Sequence, residues 1–175
     1  WDDQGSLHWG IFDDSTGMDF LKACAGLNDM MMRKAGLNSE ARVLDLGCGN
    51  GTTAIWLSRT CGCQTVGVDL SGTRIGNANQ ALRDQPGELQ ALTGFEKASA
   101  TDLPFPDGSF THVWSQATIY HVHEKEKALS EAHRVLKDGG LTVIDDALLA
   151  IGNNADGVLV NISAGLATNT TSTGS

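Results

Sequence analysis

Apolar residues recur along the chain at two spacings. Leu21, Ala25, Leu27, Met30 and Met31 fall at helical intervals within residues 18–35, and Gly36 follows as a natural C-cap. The short apolar run Arg42–Leu46 meets Gly47, which predicts a buried strand. Ala54, Ile55 and Leu57 mark a helix over residues 52–60. Gln64–Asp69 reads as a second strand, and Ser71 as the N-cap of a helix over Gly72–Arg83. Residues 95–98 predict a third strand. Residues 110–115, after the turn Pro106-Asp107-Gly108, predict a fourth. Ala128, Leu129, Ala132, Val135 and Leu136 share one face of a helix over residues 124–136, which stops at Asp138-Gly139-Gly140. Residues 141–145 predict a fifth strand.

Strand and helix alternate, and the strands are continuously apolar rather than two-faced. That pattern belongs to a parallel sheet covered by helices on both faces. The fold class is therefore α/β: a Rossmann-like, doubly wound, mostly parallel sheet, expected to be truncated after the fifth strand. Three regions follow: an N-terminal helical and aromatic segment over residues 1–37, a core over 38–146, and an atypical polar tail over 147–175. The tail is rich in Asn, Thr, Gly and Ser, and only Val158-Leu159-Val160 reads as a further short strand.

The 175 residues suffice for one domain with a sizeable core. Lys+Arg is 12 against Asp+Glu 21, a formal net charge of −9, which argues against a nucleic-acid partner because the surface would repel a polyanion. No apolar run is long enough to span a membrane, and the start at Trp1 has neither the basic nor the apolar region of a signal peptide. A chain that starts on Trp1 rather than Met reads as a fragment. Cys24, Cys48, Cys61 and Cys63 fit no zinc spacing, and His121 and His123 would not share a helix face, so no metal is expected. Reduced thiols suit a cytoplasmic location.

The residues that carry chemistry stand at the ends of the expected strands, where ligands of such sheets bind. Asp45-Leu46-Gly47-Cys48-Gly49-Asn50-Gly51 joins the first strand to the next helix. Its glycines let backbone amides approach a ligand closely. The spacing is G-x-G-x-G rather than the G-x-G-x-x-G of dinucleotide folds, which argues against a dehydrogenase. Asp45 disfavours pyrophosphate there and favours a cationic amine. Asp69 ends the second strand, where a carboxylate accepts from both hydroxyls of a ribose, and Leu70 follows it. Ser99 and the backbone of Ala100 follow the third strand, in reach of an adenine edge, with Leu70 and Leu103 as candidates to sandwich the base.

Together with Arg134-Val135-Leu136-Lys137-Asp138-Gly139-Gly140, these residues resemble the class I S-adenosylmethionine-dependent methyltransferases. The resemblance covers about residues 7–146. It implies S-adenosyl-L-methionine as cofactor, with Asp45, Gly47, Cys48, Gly49, Gly51, Asp69, Leu70, Ser99, Ala100 and Ser115 around it. Leu7-His8-Trp9-Gly10, the stretch from Trp114 to His121, and Asp145-Asp146 are similar to the sarcosine/dimethylglycine N-methyltransferases of glycine betaine synthesis. Tocopherol and sterol methyltransferases are similar too, less closely.

That similarity implies a small-molecule amine acceptor, with Gln116, Tyr120 and His121 as catalytic candidates. The amine must be neutral to attack, so the site has to favour the free amine or accept its proton. Trp9 and Phe12 are candidates to close over the sulfonium, and Arg33, Arg74 and Arg134 for an acceptor carboxylate. Two alternatives stand beside this reading: a C- or O-methyltransferase of a prenyl-lipid or sterol, and a chain that binds cofactor without catalysis.

Overall fold

The computed structural model describes residues 10, 12 and 17–146, and the backbone of residues 159–160. The expected aromatic cluster lies mostly outside these residues, as does most of the polar tail. The chain order is α1 (Phe20–Lys34), β1 (Arg42–Leu46), α2 (Thr52–Cys61), β2 (Gln64–Asp69), α3 (Gly72–Arg83), α4 (Gly87–Leu92), β3 (Thr93–Lys97), β4 (Phe110–Gln116), a 3-10 turn (Ile119–His121), α5 (Lys125–Val135), β5 (Leu136–Asp145) and β6 (Leu159–Val160). One sheet holds the strands in the order β3-β2-β1-β4-β5-β6. The pairs from β3 through β5 are parallel and β6 joins β5 antiparallel, so the sheet continues past the expected fifth strand. The order reverses between β1 and β4, and a switch point of this kind opens a crevice at the strands' carboxyl ends.

Local chemistry sets the helix ends. Asp19 caps α1 by accepting from the Lys22 amide at 3.1 Å, and Arg33 and Lys34 close its last turn, where cations suit the helix dipole. Ser71 caps α3, accepting from the Arg74 amide at 3.4 Å. Alternate residues of β1 feed two cores. Leu44 and Leu46 pack with Val68, Phe110, Val113 and the α5 residues Ala128, Ala132 and Val135. Val43 faces the other way, with Leu27 and Met31 of α1, Leu57 of α2, and Trp114. Asp45 shares the Val43 face by alternation and lies in register with Trp114 and Gly67.

Two expectations at α5 and β5 need correction. The strand begins at Leu136, directly after the helix, rather than beyond the glycine pair. Its ladder to β4 steps from Phe110–Leu136 to His112–Leu141, so Asp138-Gly139-Gly140 forms a bulge inside the strand instead of a turn ahead of it. Hydrogen bonds from the Arg134 guanidinium hold the Glu131 carboxyl at about 2, below its usual 4.5. A carboxyl depressed by folding stabilises the fold above the unfolded value and ceases to as pH falls toward the folded one. Stability should therefore decline between pH 4.5 and pH 2 through this pair. Urea midpoints at pH 5 and pH 3 should differ less in Glu131→Gln than in the parent chain, and an equal loss in both would contradict this.

Candidate active site

A cavity of about 790 Å³ opens at the carboxyl ends of β1, β2 and β4. The β1–α2 loop forms its floor. Gly47 and Cys48 both donate their amides to Val68 O, at 2.8 and 2.9 Å, which folds the loop back over β2. Gly47 has φ +79°, and a Cβ there would stand 2.2 Å from Thr118 Oγ1. Only a residue without a side chain lets the loop pass beneath Thr118. Above Gly49 the space is open, since a Cβ would meet nothing nearer than Arg74 Nη1 at 3.8 Å.

Asp69 stands across from this loop. Its Oδ2 accepts from the Gly49 amide at 3.0 Å and its Oδ1 from the Ser71 amide at 2.8 Å, with Arg74 Nη1 3.9 Å away. Each oxygen keeps lone-pair capacity for a ligand hydroxyl. Asp45 is 3% exposed, and its Oδ2 has no hydrogen-bond partner. Burial, then the nearby Asp69 charge, pushes its carboxyl up from 3.8 to about 7. Burial and the same two carboxylates push the Cys48 thiol well above its ordinary range, so it stays protonated in the wall.

An unpartnered buried carboxylate oxygen is costly unless a cationic donor arrives. A ligand ammonium there would need Asp45 ionised. In the free chain Asp45 takes up a proton as pH falls through 7, so binding of such a ligand should weaken from pH 8 to pH 6. The same raised value favours the fold below pH 3.8, and that contribution is lost as pH rises through 7. Calorimetric titrations with S-adenosylhomocysteine across that range should show the slope in the parent chain and its absence in Asp45→Asn.

Ser99, Ala100 and Leu70 complete the wall beside Asp69. Ser99 Oγ lies 2.8 Å from Thr101 Oγ1 and accepts from the Thr101 amide at 3.2 Å, and Ser99 O accepts from the Asp102 amide, which makes a closed turn. Leu70 is 70% exposed, as suits an apolar face awaiting a flat ligand. Leu103 belongs to the core rather than to a base sandwich.

Gln116, Tyr120 and His121 line the opposite wall. The Gln116 amide is engaged at both ends: Oε1 accepts from Trp114 Nε1 at 2.9 Å, and Nε2 donates to Asn28 Oδ1 at 2.9 Å. The Tyr120 and His121 rings lie 3.8 Å apart at 36°, both residues exposed at the mouth. Two expected members do not reach the cavity wall. Ser115 alternates to the other face of β4, where it is 1% exposed. Gly51 caps α2 at φ +83°, and a Cβ there would stand 2.5 Å from the Phe95 ring, so this glycine serves packing.

Phe12 packs near Phe20 of α1, with ring centroids 6.4 Å apart, and is not among the cavity residues; Trp9 lies outside the described residues. Of the three candidate arginines, Arg74 lines the cavity, while Arg33 pairs with Asp29 on α1 and Arg134 is bound into the 103–107 segment. The sequence reading missed Asn50, Thr53, Thr118, Val122, His123 and Glu124, which also line the wall. Among the described residues no cluster of His, Cys, Asp or Glu fits a metal ion, no disulfide joins the cysteines, and no helix is long and apolar enough to cross a membrane.

A glycine loop over a doubly wound switch point, with one carboxylate at the end of each of the first two strands, defines a class I S-adenosylmethionine-dependent methyltransferase fold. The chain belongs to the family described as "Methyltransferase domain", which it matches over residues 44–144. It is 32% identical over 144 residues to 27-O-demethylrifamycin SV methyltransferase of Amycolatopsis mediterranei, covering 82% of this chain and 52% of that protein. It is also 32% identical over 146 residues to a glycine/sarcosine/dimethylglycine N-methyltransferase of Actinopolyspora halophila, covering 80% and 26%. Among solved structures, the 4+2 cyclase SpnF superposes with a TM-score of 0.75 at 27% identity, over 81% of this chain and 51% of that one. The chain thus spans about half the length of the first relative and about a quarter of the second.

S-adenosylmethionine is the cofactor of this class, and the residues fit it. The orphaned Asp45 oxygen suits its ammonium, the remaining Asp69 lone pairs suit its ribose, and the open space over Gly49 admits its backbone-hugging middle.

Proposed function

We propose that this chain methylates a small-molecule acceptor held against the β4 end of the cavity, on an uncharged hydroxyl. Bound S-adenosylmethionine supplies an electrophilic methyl carbon on a sulfonium. The chain's task is to hold the acceptor lone pair in line with it and away from water. The observation that carries the choice of acceptor is the charge of the wall. Asp45, Asp69 and Glu124 face one guanidinium, Arg74, which stands beside Asp69. Among the described residues that line the cavity, Arg74 is the one Lys or Arg and it stands beside Asp69, so an acceptor carboxylate at the β4 end has no lining cation of its own. A hydroxyl loses its proton on methylation, and the His121 imidazole at the mouth is the group to take it. The O-methyltransferase named among the relatives supports this reading.

N-methylation of sarcosine or dimethylglycine is the second reading, supported by the 32% identical relative that carries that name and by the stretch from Trp114 to His121. A labelled-methyl transfer assay with sarcosine, dimethylglycine, a simple phenol and a prenylated phenol separates the two. Methylation of a phenol with dimethylglycine inert is the expected result, with His121→Gln losing most of the rate. Turnover of dimethylglycine alone would replace the first reading by the second.

A further inference from the structure

Neither Glu131 nor Arg134 touches the cavity, yet their side chains hold the segment that lines one of its walls. All five guanidinium N–H groups of Arg134 are used. Nε donates to Glu131 Oε1 at 2.7 Å, and Nη2 to Glu131 Oε2 at 2.8 Å and Leu103 O at 3.0 Å. Nη1 donates to Phe105 O and to Asp107 Oδ1, both at 2.8 Å. Glu131 Oε2 also accepts from the Leu103 amide at 2.8 Å. Both backbone polar groups of Leu103 are thus tied to α5, and its side chain is 4% exposed in the core. Leu103 stands two residues past Thr101, which lines the cavity with Ser99 and Ala100. Ser99 through Asp102, directly before Leu103, form the closed turn in which Ser99 O takes the Asp102 amide. A stiff turn joined directly to a clamped residue moves only when the clamp moves.

We propose that Glu131 and Arg134 are positioning residues that set the Ser99–Thr101 wall for the adenosine end of the cofactor. The inference rests on the cofactor assignment above and adds to it residues outside the cavity. A planar fork with five fixed donors satisfies five acceptor atoms on α5 and the 103–107 segment at once, which an ammonium with three donors on a flexible stem does not. Arg134→Lys keeps the charge and breaks this geometry. Glu131→Gln keeps an acceptor for the Leu103 amide and weakens the ionic pair, so it serves as the gentler variant.

The test is calorimetric titration of the full chain and both variants with S-adenosylhomocysteine and with 5′-methylthioadenosine, well below each thermal midpoint. The parent chain should bind both. Arg134→Lys should raise both dissociation constants by about tenfold, and Glu131→Gln should raise both by less. Folded variants with lowered midpoints and unchanged dissociation constants would reduce the pair to a structural brace and overturn the proposal. A loss for S-adenosylhomocysteine with none for 5′-methylthioadenosine would also overturn it, since the defect would lie at the amino-acid end. Failure of the parent chain to bind S-adenosylhomocysteine is read first and would sink the cofactor assignment as well.

Discussion

Asp69→Ala should weaken S-adenosylhomocysteine binding by about 3 kcal/mol, roughly a hundredfold in dissociation constant. Two losses combine. The ribose hydroxyls lose a charged acceptor, and the Gly49 and Ser71 amides, now held at 3.0 and 2.8 Å, lose theirs. The second loss loosens the floor of the cavity, so the effect exceeds that of one missing hydrogen bond. Asp69→Asn separates the two. Its amide oxygen can still accept from one backbone amide, so the loop should stay closer to its place while the charge is gone. An intermediate affinity is expected, and equal affinities for parent, Asn and Ala chains would remove Asp69 from the site.

Gly47→Ala should lower stability by about 2–4 kcal/mol, from left-handed strain together with overlap in a packed wall. The added methyl would stand 2.2 Å from Thr118 Oγ1, 2.3 Å from its Cγ2 and 2.8 Å from its Cβ. Thr118 in turn follows Ala117, whose φ of +49° leaves that segment little room to retreat. Thr118→Ala removes two of the three overlapping atoms, so the double variant should recover part of the loss in thermal midpoint. Full additivity of the two changes would mean that the residues do not meet.

Much of the frame was legible because burial on both faces makes strands read as unbroken apolar runs. β1 and β2 have the expected bounds, and so does α3. α4 was invisible: six residues after Pro86, with none buried, present no periodic face. The start of β5 was misread because a glycine pair signals a turn locally, while here it bulges within a strand held by β4. In the site, Asp45, Gly47, Gly49 and Asp69 were legible from their places at strand ends. The glycine at 51 looked identical in sequence, but its reason is the Phe95 ring, which only the fold brings near. Gln116 reads from sequence as a catalytic candidate, and that its amide is already engaged at both ends is invisible for the same cause. Its partners Trp114 and Asn28 include a residue 88 positions away. The choice among three arginines turned on tertiary contacts that no local pattern encodes.

The decisive measurement is an amide chemical-shift map of the folded chain as S-adenosylhomocysteine is added. Saturable shifts should concentrate at Asp45–Asn50, at Asp69 and Leu70, and at Ser99–Thr101, the walls that surround the cavity. Saturable binding that leaves those amides unmoved, or no binding at pH 8 where Asp45 is ionised, would contradict a cofactor seat at the β1–β4 switch point.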